Sequence, residues 1–157
     1  MLDGISVERL AAPTEEAREL IAGLDRELST HYAAEQRHGL KLEAIFQPHM
    51  RFFVARLNGN AVGCGGLALF ADFGELKRMY VRPESRGRGA ADAIIVRLQD
   101  EAQVNGLGIL RLETGDAQLA AIRFYERHGF EVCKAFEPYS SMPPHAIATS
   151  VFMEKHL

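Results

Sequence analysis

The stretch VRPESRGRGAADAII, Val81 to Ile95, crowds two glycines and two arginines between a strand-like run and a helical pattern. Upstream, GELKRMYV (Gly74–Val81) reads as a central strand. Downstream, Ala91, Ile94, Ile95, Leu98 and Ala102 recur at helical spacing until Asn105-Gly106 stops the pattern. The stretch is therefore the turn of a strand-turn-helix unit. A helix start leaves its first N–H groups without internal acceptors and carries partial positive charge, which suits a phosphate. Gly87 and Gly89 let the backbone approach such a ligand, and Arg86 and Arg88 add donors for its oxygens. The spacing predicts a pyrophosphate cradle. Other phosphate motifs fit less well: a dinucleotide fingerprint needs glycine where Asp92 stands, the Gly-Lys-Ser/Thr of a phosphate-binding loop is missing, and Arg-Gly segments that bind RNA lie in longer disordered runs.

Outward from that unit, ISVERL (Ile5–Leu10) reads as a first strand. Thr14 with Glu15 and Glu16 reads as the capped, acidic start of a helix towards Leu28. A second helical segment is expected over Ala33–Ile45. MRFFVARL and AVGCGGLALF flank Asn58-Gly59-Asn60, which predicts an antiparallel hairpin. ILRLET is a further strand, Asp116 is expected to cap a helix through AQLAAIRFYERH, and Gly129 closes it. FEVCKAF and TSVFMEKHL supply two last strands. This order implies a mixed α/β sheet covered by helices, in one domain spanning residues 1–157, without repeats or linkers.

Composition bounds the function. The chain has 157 residues, 47% of them apolar, with a formal net charge of -3 and a pI near 6.1, which argues against nucleic-acid partners held by a broad basic face. The N-terminus lacks a secretory pattern, and the apolar run Ala61–Ala71 is glycine-broken and too short for a bilayer, so no membrane association and a cytoplasmic address are expected. Cys64 and Cys133 read as buried reduced thiols. His31, Glu35 and His38 would share one helical face, where a solvated polar face outweighs a metal site, and no metal is expected.

Arg86-Gly87-Arg88-Gly89-Ala90-Ala91 resembles the Gln/Arg-x-x-Gly-x-Gly/Ala signature of the GNAT superfamily of acetyl-CoA-dependent N-acyltransferases, and it follows ELKRMYV as that family's fourth strand would. LETGDAQLAAIRFYERHGF is similar to the second signature, with Ala121, Phe124-Tyr125 and the closing Gly129-Phe130. Together they cover roughly Gly74 to Val132.

The resemblance implies a mostly antiparallel twisted sheet of six to seven strands with about four helices, splayed between the fourth and fifth strands. The arm of acetyl-CoA enters that gap along backbone groups of Met79, Tyr80 and Val81, Arg86 to Ala91 hold the pyrophosphate, and Ala121 and Phe124 flank the arm. Gln118 stands where many members have asparagine. Glu75 lies where some members place a general base working through water, and Tyr125 where the family has its general acid. Strict alternation groups Glu75 with Lys77, Met79 and Val81, and a strand bulge would change which of them face the cleft. A surface or salt-bridged Glu75 and a packed helix tyrosine are the plain alternatives.

The acceptor would be a primary amine of a small molecule, amino acid or peptide, acetylated directly in a ternary complex. His31, Tyr32 and Tyr139 are acceptor-side candidates, with His145. The loop Phe136–His145 could close over the acceptor or meet a second subunit in a homodimer. A non-catalytic acyl-CoA sensor or assembly module is the second reading.

Overall fold

A computed structural model describes residues 4–157. The expected hairpin forms around Asn58 and Gly59, both at positive φ (52° and 87°), and joins β2 (Met50–Leu57) to β3 (Asn60–Leu69). Beside β2 lies β1 (Ile5–Leu10), and beside β3 lies β4 (Gly74–Val81), both antiparallel. β5 (Ile109–Gly115) runs parallel to β4. β7 (Ser150–His156) and the two-residue β6 (Glu131–Val132) complete a seven-stranded sheet in the order β1-β2-β3-β4-β5-β7-β6.

Both faces of the sheet are covered, which explains why β2 and β3 read as continuous apolar runs. On one face α3 (Ala90–Val104) lays Ile94, Ile95 and Leu98 on Phe53 and Ala55. α4 (Leu119–Arg127) adds Tyr125 to the same core. On the other face α1 (Glu15–Ser29) packs Ala17, Leu20 and Ile21 on Phe52, Val54 and Cys64. Thr14 caps α1 by accepting the Ala17 N–H at 3.1 Å. Phe136, Tyr139 and Phe152 form a third, smaller cluster.

Five expectations need correction. Residues 33–45 hold a three-residue 3-10 turn and the short α2 (Leu42–Ile45) in place of a helix. The Arg78 guanidinium packs against Gly39, where a Cβ would collide with it, and this tertiary contact holds the segment open. His31 and Glu35 consequently point to solvent while His38 turns inward, so the three share no helical face. Asp116 is not the cap of α4, which starts after Gln118; the Asp116 N–H is tied to the Thr149 carbonyl at 2.8 Å. The predicted strand FEVCKAF pairs only at Glu131–Val132, because the chain leaves the sheet to sink Phe136 into the third cluster. That segment runs on into α5 (Pro144–Ile147). Cys64 is buried as expected, but Cys133 is half-buried; both are free thiols.

Candidate active site

α3 begins on Gly89, which takes the left-handed conformation at φ 90°, two residues after Gly87 at φ 79°. A side chain would be strained at either position. The first helical bond runs from Ala93 N–H to the Gly89 carbonyl at 3.0 Å, which leaves the N–H groups of Ala90, Ala91 and Asp92 without helical acceptors. These groups open on a depression of about 220 Å³ walled by Ser85, Phe124 and Arg127.

Arg86 borders the depression, but its guanidinium turns back, donating to the Val81 carbonyl at 2.9 Å and to Glu27 at 2.9 and 3.1 Å. Arg88 is exposed beside it. Arg127 was not singled out in the sequence, although its place three residues after Phe124 puts both on one face of α4. His128 Nε2 meets Asp92 Oδ1 at 2.7 Å and ties the end of α4 to the first turn of α3.

The β4–β5 ladder holds for only three pairs, Gly74 to Leu76 against Leu110 to Leu112, and the strands then separate. The cause lies in β4. Arg78 has φ 58°, and Arg78 with Met79 occupies the span opposite Gly65 alone, between the pairs Cys64–Tyr80 and Gly66–Lys77. This bulge breaks the alternation: Leu76, Met79 and Val81 pack towards α3, whereas Arg78 reaches Asp25 of α1 and Tyr80 joins the core beneath α1. Glu75 thus shares its face with Lys77 and not with Met79 or Val81.

In the gap lies a cavity of about 130 Å³. Glu75, Tyr125, Tyr139, Tyr32, Gln118 and Ala121 all line it, and His31 and His145 stay exposed elsewhere. Glu75 is buried; its Oε2 accepts from the Tyr139 hydroxyl at 2.6 Å and from Lys77 Nζ at 3.0 Å. Its Oε1 has no partner among the described residues. Lys77 Nζ also donates to the Tyr139 oxygen at 2.6 Å, which closes a three-membered network. Burial, and then the Glu75 carboxylate, push the Tyr139 hydroxyl far above its usual pKa. Tyr139 comes from the irregular segment after β6, so the Phe136–His145 loop forms a wall of the cavity. His38 completes that wall, its Nε2 2.8 Å from the Ala146 carbonyl and its ring edge-on to Tyr139. The Tyr32 hydroxyl accepts the Ala117 N–H at 2.9 Å, just before α4.

Tyr125 packs against Phe124 and Phe130, and burial followed by the nearby Glu113 charge pushes its hydroxyl well above the ordinary range. Glu113 was missed in the sequence. It faces the cavity from β5, accepts from Ser150 Oγ at 2.7 Å, and has its pKa raised by burial against the opposing pull of Ser150, His38 and Lys77. The alternation of Leu110 and Leu112, both inward on the α3 face, was the signal that placed Arg111 and Glu113 opposite.

The splayed mixed sheet and the depression at a helix start are the two features that the resemblance to acyl-CoA-dependent transferases implies. The family model described as Acetyltransferase (GNAT) family matches residues 14–130. An IAA acetyltransferase of Azospirillum brasilense is 38% identical over 99% of this chain and 100% of its own. A Klebsiella pneumoniae structure assigned as an acyl-CoA N-acyltransferase superposes with a TM-score of 0.78, at 34% identity, over 98% of this chain and 97% of its own. The PaiA N-acetyltransferase of Thermoplasma acidophilum, solved with coenzyme A, shares the fold at a TM-score of 0.69 and 17% identity, over 97% and 99%. The chain belongs to the GNAT acetyltransferase family, and it is an acyltransferase with acetyl-CoA as co-substrate.

Proposed function

We infer that residues 1–157 form one N-acetyltransferase domain, which moves the acetyl group of acetyl-CoA to a primary amine of a small molecule, amino acid or peptide by direct transfer in a ternary complex. The observation that carries this reading is that Glu75 and Tyr125 line one cavity, at the point where β4 and β5 part. The N–H groups of Ala90, Ala91 and Asp92, with Arg127, take the pyrophosphate, and backbone freed from the β4–β5 ladder at Met79 to Val81 lines the entering arm. The Arg86 guanidinium braces the turn through Glu27 and Val81, so its contribution at the cradle is backbone.

An aliphatic amine has a pKa of about 10 and must lose a proton before it attacks. Glu75, whose buried Oε1 has no partner among the described residues, takes that proton through water, while Lys77 and Tyr139 fix the carboxylate from the other oxygen. The Tyr125 hydroxyl, kept protonated by burial, returns a proton to the departing thiolate.

Thiol release from acetyl-CoA against a panel of amines, amino acids and peptides tests the reading. Tyr125→Phe is expected to lower kcat by about 100-fold, with the Kd for acetyl-CoA unchanged; equal loss of both removes the acid role. Glu75→Gln is expected to lower kcat by about 100-fold, and an unaltered kcat removes it as base. Tight acyl-CoA binding with silence across the panel would favour the sensor reading.

A further inference from the structure

Two cationic groups in the cavity are not accounted for by the transfer chemistry. Arg78 is buried, and its Nη2 pairs with Asp25, yet its Nε makes no hydrogen bond among the described residues. Arg37, in the turn before Gly39, lines the same cavity, and its buried Nε is likewise without a partner. A buried guanidinium N–H left without an acceptor costs more than a neutral donor would, and both of these groups belong to residues that line the one cavity. Lys77 is satisfied by Glu75 and Tyr139, and Glu113 faces the gap with only the Ser150 hydroxyl on it. The lining of the cavity thus includes two carboxyl groups, Glu75 and Glu113, and two guanidinium groups, Arg37 and Arg78, of which Arg78 is paired through Nη2 with Asp25.

We propose that the acceptor is a small amino carboxylate, a free amino acid or a molecule of that kind, whose carboxylate is received by Arg37 and Arg78 while its amine faces Glu75. This rests on the acetyltransferase reading above. A guanidinium offers paired N–H groups in the plane that a carboxylate presents, which is why arginine suits this task better than lysine. The carboxylate takes no part in bond making. The ammonium first gives one proton to Glu75 through water; the amine nitrogen then bonds to the acetyl carbon and the carbon–sulfur bond breaks, the thiolate takes the Tyr125 proton, and the second nitrogen proton restores the Tyr125 hydroxyl through water.

The test measures thiol release from acetyl-CoA with the twenty L-amino acids, β-alanine and γ-aminobutyrate, each beside its carboxamide, and with tyramine and spermidine as amines lacking a carboxylate. At least one free acid is expected to exceed its amide in kcat/KM by about 10- to 100-fold, the worth of a charge-assisted bond. Arg37→Ala should raise KM for that acid by about tenfold with little change in kcat, and Arg37→Lys should recover part of it. Arg37 is only half-buried, so its removal is tolerated better than that of Arg78. Equal rates for acids and amides, or transfer to tyramine or spermidine alone, overturns the carboxylate site and leaves the acetyltransferase reading standing. An Arg37→Ala variant that weakens acetyl-CoA binding instead of the acceptor KM overturns it as well. Release with no amine at all sinks both.

Discussion

At the scale of single residues, the cavity keeps two carboxyl groups in different settings. Glu75 is buried and held by two donors, whereas Glu113 is held by one hydroxyl and has its pKa raised by burial. A carboxyl whose folded pKa is raised favours the folded state at low pH, and that advantage is lost as pH rises through the folded value. Glu113→Gln, which removes the charge, is therefore expected to raise Tm above the parent at neutral pH, and the difference should vanish below the ordinary carboxyl range. Thermal scans across pH check this; a difference that grows on acidification would show the sign to be wrong. Tyr139→Phe leaves Glu75 and Lys77 short of a shared hydroxyl and should cost about 1–3 kcal/mol of stability. The sequence singled out Glu75, Tyr125 and Tyr139, but they come from β4, α4 and the segment after β6, and no local pattern announces that these line one cavity.

At the scale of elements, α3 was legible because its apolar positions repeat over four turns and its start carries two glycines. Gly89→Ala places a Cβ on a left-handed backbone, so a cost of about 1 kcal/mol is expected. It should also weaken acetyl-CoA binding, since the N–H groups beside it would shift. Urea denaturation and calorimetric titration measure the two effects, and an unchanged Kd would detach this turn from the cofactor. Residues 33–45 misled for the converse reason. Their helical propensity is real but modest, and one long-range contact, Arg78 on Gly39, outweighs it.

Across the whole molecule, two cores clamp the sheet from opposite faces, and the parting of β4 and β5 is sustained between them. Leu98, fully buried under the sheet, should cost about 2–5 kcal/mol on truncation to alanine. Chemical denaturation checks that value, and a loss under about 1 kcal/mol would mean that this core is loosely packed. Arg56 joins β2 to β1 and α1 through Glu8 and Glu16, at 2.6 and 2.8 Å, although exposed pairs of this kind contribute little each.

By itself the sequence determined the antiparallel hairpin, the strand-turn-helix with its glycine turn, a mixed sheet covered by helices, and the family, because these rest on period, turn chemistry and motif spacing within short stretches. Only the tertiary structure decided which side chains meet. Tyr139 reaches Glu75 across 64 residues, Glu113 faces the gap from the next strand, the Arg86 guanidinium is drawn away by Glu27, and Arg37 and Arg78 share a cavity. Such meetings are set by a bulge, a loop that abandons the sheet and the competition of charges for partners, and none of these is local in the chain.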